Sequence, residues 1–381
     1  MHILFSLFLF LPFAVCSQAV PGACRMGEYL PQIKGKRVAL LVNQTSVVGN
    51  QLLPDTLLKL KVDIKKIFSP EHGFRGDIPD GDFIGNSVDK KTGLPIISLY
   101  GKQRKPEAAD LEDVDVVLFD IQDAGVRFYT YISTMHLMME ACAALHKKMI
   151  VLDRSNPNAH LVDGPILQED CKSFVGMHPI PIAYGLTIGE LATMINGENW
   201  LGDKTEKQTC ELEVIALQNY SRRMPCHLPV KPSPNLPNVH AVALYPSLCL
   251  FEGTVISVGR GTAFPFECIG HPSLKLNFEF TPKSIPDMSK NPPLSGKLCR
   301  GEDLRKAVPK EGIDLSYIIR FYKLFPEKDK FFIPYFKKLA GTEELQKQIE
   351  KGLSEKQIKA AWKKGLEEYK VMRKKYLLYN E

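Results

Sequence analysis

Between residues 37 and 217 the chain alternates short apolar, β-branched runs with stretches of helical apolar spacing, and this rhythm limits the fold more than any other feature. RVALLV (37–42) reads as a short buried strand, residues 54–60 as a short helix, and residues 62–68 as the next strand. Residues 95–99 make a third strand, VDVVLFDI (114–121) a fourth and KMIVL (148–152) a fifth, with helical spacing over 131–146 between the last two. Thr187 with Glu190 three residues on spells a capping box at a helix start, and residues 211–217 form another alternating strand. The pattern predicts an α/β fold, Rossmann-like, with a mostly parallel sheet and helices on both faces.

The rhythm stops after residue 221. Prolines 225, 229, 232, 234 and 237 crowd the next stretch at a density no helix or central strand tolerates. The reading is a Rossmann-like domain over 26–221, a Pro-rich linker over 222–240, and a smaller α+β C-terminal domain over 241–381. In that second half residues 242–250, 255–258 and 274–280 read as strands. Residues 354–378 read as a final helix with Ile358, Ala361, Trp362, Leu366, Tyr369 and Met372 on one face, a lid or a brace.

Residues 1–19 stand apart. Ile3 to Val15 is almost wholly apolar, and Ser17-Gln18-Ala19 supplies the small residues a signal peptidase reads, so the segment predicts an exported chain beginning near Val20. The location this implies is periplasmic or extracellular. The apolar run falls short of the ~20 residues that span a bilayer, so no stable membrane insertion is expected; an uncleaved interfacial anchor is the alternative, and lipidation at Cys16 or Cys24 ranks behind both. The net charge is +6 with the basic residues scattered, which gives no stripe for nucleic acid. The nine cysteines include no CxxC pair, and Cys142 and Cys249 lie in apolar runs as core thiols.

Ligands of a doubly wound sheet bind outside the carboxyl ends of its strands. Here five such ends are polar: Asn43-Gln44-Thr45, Ser69-Pro70-Glu71-His72-Gly73, Tyr100-Gly101, Asp120-Ile121-Gln122-Asp123 and Asp153-Arg154. Glu71 is the leading general acid, at a strand end before a Gly-rich connection running from Gly73 to about Gly93. His72 orients Glu71 or touches substrate. Asp120 and Asp123 are further carboxylates. Arg127, Tyr129 and Tyr131 suit a sugar, the rings stacking and the arginine pairing with a ligand carboxylate, as Arg154 also can; an internal Asp123–Arg127 ion pair is the competing structural reading. Asn43 and Asp153 complete the rim. Glu252, in a turn of the second half, reaches across the cleft. Gly259-Arg260-Gly261-Thr262 lacks the spacing of a phosphate loop, no GxSxG elbow occurs, and no HxxxH or HxH is present, so no cofactor or metal is expected.

The residues also carry a resemblance. LVNQTSVV (41–48), FSPEHGFRG (68–76), TGLPIISLYGK (92–102), FDIQDAGVRFYTYISTM (119–135), VLDRSNP (151–157), DGPIL (163–167) and SFVG (173–176) resemble the exo-β-N-acetylmuramidases. So do YGLTIGELA (184–192), PSPNLPN (232–238), LYPSLCLFEGT (244–254), GRGTAFPFE (259–267) and KKYLLY (374–379). The resemblance implies an active site in the first domain and exolytic release of N-acetylmuramic acid from MurNAc-GlcNAc saccharides of peptidoglycan. It puts the catalytic candidate on Glu71 and the sugar wall on Arg127 and the tyrosines, and leaves the second carboxylate open between Asp120, Asp123 and Glu169. The chain departs from the pattern at Gln168, where a glutamate is usual, with Glu169 next to it, and at Ser155. A lactyl carboxylate asks for an arginine, with Arg127 or Arg154 first and Arg260 next. A non-catalytic sugar-binding protein and a metal-assisted hydrolase using His72 and the aspartates are the competing readings.

Overall fold

The structure, a computed structural model, describes residues 18–75, 85–202 and 208–380. Most of the expected leader therefore lies outside the described residues. The described chain joins the fold at once: Val20 and Gln218 exchange backbone hydrogen bonds of 2.8 and 3.0 Å.

The first half builds one seven-stranded sheet from β1 (Arg37–Val42), β2 (Asp63–Ser69), β3 (Ser87–Val88), β4 (Pro95–Ser98), β5 (Val116–Asp120), β6 (Lys148–Leu152) and β7 (Glu211–Ile215). The order is β3-β4-β2-β1-β5-β6-β7, parallel throughout except for the edge pair β3/β4. Alternate residues of the strands feed opposite faces, as the two-residue period requires. Val38, Leu40, Leu118 and Ile150 pack under α1 (Met26–Ile33) and α2 (Leu53–Lys59), while Ala39, Leu41, Phe119 and Val151 pack under α3 (Tyr131–Ala144) and α4 (Ile188–Gly197). Thr187 caps α4, its hydroxyl accepting from the Glu190 N–H and the Glu190 carboxylate accepting from the Thr187 N–H. The chain reverses its direction of winding between β1 and β5, which is the topological switch point.

The second half is helical around a small antiparallel sheet, β8 (Cys268–His271), β9 (Phe278–Phe280) and β10 (Cys299–Asp303), in the order β8-β10-β9. Its helices are α5 (Val239–Leu248), α6 (Ser316–Leu324), α7 (Phe336–Ala340), α8 (Glu344–Glu350) and α9 (Glu355–Lys374). The strand expected over 242–250 is instead α5 followed by a 3-10 turn, Cys249–Gly253. Asn238 caps α5, its Oδ1 accepting from the Ala241 N–H at 2.8 Å. From Ala241 to Leu248 the helix is buried nearly all round, so its sequence lacks the one-sided period that separates helix from strand. Residues 255–258 form only the single bridge Ser257–Gly270, and of 274–280 only the last three are strand. Helix α9 is a brace: Tyr369 Oη donates to the Tyr184 carbonyl at 2.6 Å and Arg373 Nε to the Gly185 carbonyl at 3.0 Å. One hydrophobic cluster runs from Phe119 and Met139 through Tyr245 and Phe251 to Phe321 and Trp362, so both halves share a core.

Candidate active site

A cleft of about 530 Å³, in the range of small-molecule sites, opens over the carboxyl ends of β2, β4 and β5. Glu71 and His72 follow β2, Tyr100 and Arg104 follow β4, and Phe128 to Tyr131 follow β5. The second half contributes Tyr245, Glu252, Arg260, Phe266, Tyr335 and Lys338. Between them runs the Pro-rich stretch, which bears Ser233, Asn235 and Leu236.

Glu71 is half-buried and accepts a 3.0 Å hydrogen bond from Thr130 Oγ1. Burial pushes the Tyr100 hydroxyl up, and the charge of Glu71 and a hydrogen bond to it push the same way. His72 has φ +71, a left-handed conformation rare outside glycine, and its Nε2 lies 3.4 Å from Ser233 Oγ. Strain of this kind, held in place by surrounding contacts, gathers where function needs a fixed geometry. Tyr129 and Tyr131 meet edge to face at 4.8 Å, and both hydroxyls donate to the Pro232 carbonyl, at 2.8 and 3.3 Å. The proline stretch is thus bolted to the first half's tyrosines and forms part of the cleft.

Glu252 enters from the 3-10 turn after α5. Arg260 Nε lies 2.5 Å from its Oε1, and the Arg260 guanidinium lies 5.2 Å over the Phe266 ring. Burial pushes the Glu252 carboxyl up to about 7, and the charge of Glu71 adds to the rise. Among the described residues that line the cleft, Glu71 and Glu252 are the two carboxylic acids. Among the described residues no group of three His, Cys, Asp or Glu side chains is arranged to hold a metal ion.

Comparison with known proteins places the chain in a family. The family profile described as exo-β-N-acetylmuramidase NamZ, N-terminal, matches residues 38–240, and its C-terminal counterpart matches residues 243–379. The chain belongs to the exo-β-N-acetylmuramidase NamZ family. The peptidoglycan β-N-acetylmuramidase NamZ of Bacillus subtilis (strain 168) is 40% identical over 378 residues, covering 92% of this chain and 89% of that protein. Two crystal structures of DUF1343 family proteins from Bacteroides fragilis are also similar. One has a TM-score of 0.89 and 47% identity over 96% of this chain and 100% of its own; the other has 0.79 and 29% over 95% and 99%.

In this NamZ-family chain the structure sorts the expected site residues into two groups. Glu71, His72, Tyr129, Tyr131, Glu252 and Arg260 line the cleft together. The others do not reach it. Asp120 and Arg154 form a buried bidentate pair, with Nε–Oδ1 2.5 Å and Nη2–Oδ2 2.8 Å, and Arg154 also donates to the Val47 carbonyl. Asp123 accepts from the Tyr184 hydroxyl and from the Gly125 N–H at 2.6 Å, and burial raises it to about 6. Asp153 accepts from the Arg154 and Gly189 N–H groups and from the hydroxyls of Thr187 and Tyr379. Asn43 is wholly buried, its Oδ1 accepting from the Thr45 N–H and hydroxyl.

Arg127 makes no ion pair with Asp123. Its Nη1 donates to the carbonyls of Pro165 and Ile180 and its Nη2 to those of Leu339 and Ala340, and burial pushes the guanidinium down to about 9. Glu169 is exposed on a 3-10 turn and pairs with Lys172 at 3.0 Å. The departure at Gln168 is equally remote: its Oε1 accepts from Thr342 Oγ1 at 2.9 Å, outside the cleft.

Arg104, Thr130, Phe174, Asn235, Tyr335 and Lys338, which the strand-end pattern does not single out, also line the cleft. A signal existed for three of them. Thr130, Phe174 and Asn235 stand inside the stretches FDIQDAGVRFYTYISTM, SFVG and PSPNLPN, which carry the family resemblance.

Proposed function

We infer that the cleft is the active site of an exo-acting β-N-acetylmuramidase, which releases N-acetylmuramic acid from the non-reducing ends of peptidoglycan fragments. The observation that carries this reading is the pair Glu71 and Glu252, two carboxyls brought from opposite halves of a NamZ-family chain into one tyrosine-walled cleft. Glycoside hydrolysis needs one carboxyl to protonate the leaving oxygen and a charged one to act at the anomeric centre.

The sequence alone favoured Glu71 as the acid. We assign the proton instead to Glu252, which burial and the neighbouring charge of Glu71 push up to about 7 against the pull of the Arg260 guanidinium, which favours the charged form. Glu71, accepting from the Thr130 hydroxyl, is the charged partner that attacks the anomeric carbon directly or through a water. Once Glu252 has given up its proton, the Arg260 Nε beside it stabilises the new carboxylate. The substrate lies outside the cytoplasmic membrane, so we read residues 1–19 as the export signal; none of the described helices is long and apolar enough to cross a membrane.

Leaving groups that differ in their need for a proton test the assignment. Glu252→Gln should lose at least about 100-fold on a MurNAc-GlcNAc disaccharide, the size expected for a missing general acid, and far less on a nitrophenyl glycoside, which departs unaided. In the wild type, activity on the disaccharide should fall as pH rises through about 7, because Glu252 then loses its proton; this limb should vanish in Glu252→Gln. The opposite pattern, with Glu71→Gln sparing the nitrophenyl substrate, would exchange the two roles.

A further inference from the structure

N-acetylmuramic acid differs from N-acetylglucosamine by a lactyl ether ending in a carboxylate, and a cleft that selects it needs a cation with donors to offer. Among the described residues three arginine or lysine side chains line the cleft: Arg104, Arg260 and Lys338. Arg260 holds Glu252, the carboxyl assigned above to proton transfer. Lys338 turns its Nζ to the backbone carbonyls of Asp170 and Lys172, at 3.3 and 3.2 Å. The two arginines that the sequence put first, Arg127 and Arg154, are sealed beneath the floor by carbonyls and by Asp120.

Arg104 is different. Its guanidinium carbon lies 4.4 Å from the centre of the Phe174 ring, and both residues line the cleft. Among the described residues no carboxylate pairs with it, and the side chain is exposed. An aromatic ring beneath a guanidinium fixes the plane of the fork while leaving its N–H edge open, the geometry that takes a carboxylate in two parallel bonds. Arg104 stands four residues after Tyr100, which contacts Glu71, so strand β4 delivers the fork to the same wall as the charged catalytic carboxylate.

We propose that Arg104, held flat by Phe174, binds the lactyl carboxylate of the muramic acid unit and sets the preference for that sugar. The proposal rests on the muramidase reading of the cleft.

The test compares a chromogenic β-muramic acid glycoside with its lactyl methyl ester, which keeps the shape and removes the charge. Wild type should prefer the free acid by about 10- to 100-fold in kcat/KM, the range of a hydrogen bond to a charged group. Arg104→Met should lose that factor on the acid, change little on the ester, and so show no preference between them. Arg104→Lys should recover part of it, since the ammonium keeps the charge without the fork. A variant that merely loosens the wall would lose activity on both substrates alike and keep the preference, and that result overturns the proposal. Wild type that cleaves both substrates equally well also overturns it while leaving the muramidase reading intact. Wild type that cleaves neither substrate removes the muramidase reading and this proposal with it.

Discussion

The cleft wall and the floor beneath it are built from the same kinds of residue and do opposite things. On the floor, Asp120, Asp153 and Arg154 stand at the ends of β5 and β6, near the switch point where ligands of such sheets usually bind. There they are wholly or almost wholly buried and bonded to one another, to backbone groups and to the hydroxyls of Thr187 and Tyr379. On the wall, Glu71, Arg104, Glu252 and Arg260 face open volume. A polar strand end is therefore no sign of a reactive group by itself. What separates the two sets is whether the side chain is sealed on every side by protein or borders open volume, and here the sealed set plugs the switch point beneath the cleft.

Substitution should break the two sets in different currencies. On the wall, Glu71→Gln should lower turnover of a nitrophenyl muramic acid glycoside at least about 100-fold, with little change in thermal stability, since the replacement is isosteric and the group it removes acts in the reaction. Near-normal turnover would remove Glu71 from the chemistry and dissolve the distinction on that side.

On the floor, Arg154→Met should do the reverse. It leaves the Asp120 carboxyl buried with no counter-charge, and breaking a buried pair in this way costs about 3–5 kcal/mol of folding stability. Urea titration would measure that loss, while turnover per folded molecule should stay within a few-fold of the wild type. A variant that keeps its stability and loses preference for the lactyl carboxylate would restore Arg154 as a specificity residue.

The first half of the molecule was legible because β1, β4, β5 and β6 are compact apolar runs, and because α3, though buried on nearly every side, is too long at 14 residues to pass for a strand. The cap at Thr187–Glu190 was legible for the same local reason: the two hydrogen bonds that make it join residues three apart. The second half was harder. Helix α5 is buried on every side, so Val242 to Leu250 carries no period, and its apolar residues read equally well as a strand. The site was half legible. Glu71 and Glu252 could be placed at the cleft from strand ends and turns. Whether Asp120 would be reactive or locked depended on Arg154, 34 positions away, and whether Arg127 would meet substrate depended on Leu339 and Ala340, more than two hundred positions away. Partnerships at such separations leave no mark in local spacing. Arg104 was invisible for a related reason, since its importance lies in the ring of Phe174, which a distant loop supplies.

Glu169 offers the smallest effect and the sharpest control on the comparison. It follows Gln168, the position where the family usually carries a glutamate, and a displaced catalytic carboxylate would make it indispensable. Its side chain is 65% exposed and pairs with Lys172 one helical turn on, at 3.0 Å. A pair so open to water gains little, because solvent screens the attraction and two long side chains must be held still; such pairs contribute about 0–1 kcal/mol. Glu169 also belongs to neither the wall nor the floor, for it is exposed on its 3-10 turn and is not among the described residues that line the cleft. Glu169→Gln should therefore leave kcat/KM within about two-fold of the wild type and the urea midpoint nearly unmoved. A hundredfold loss on both the disaccharide and the nitrophenyl glycoside would mean that the 3-10 turn carrying Glu169 swings into the cleft during turnover, and Glu252 would then lose its place as the partner of Glu71.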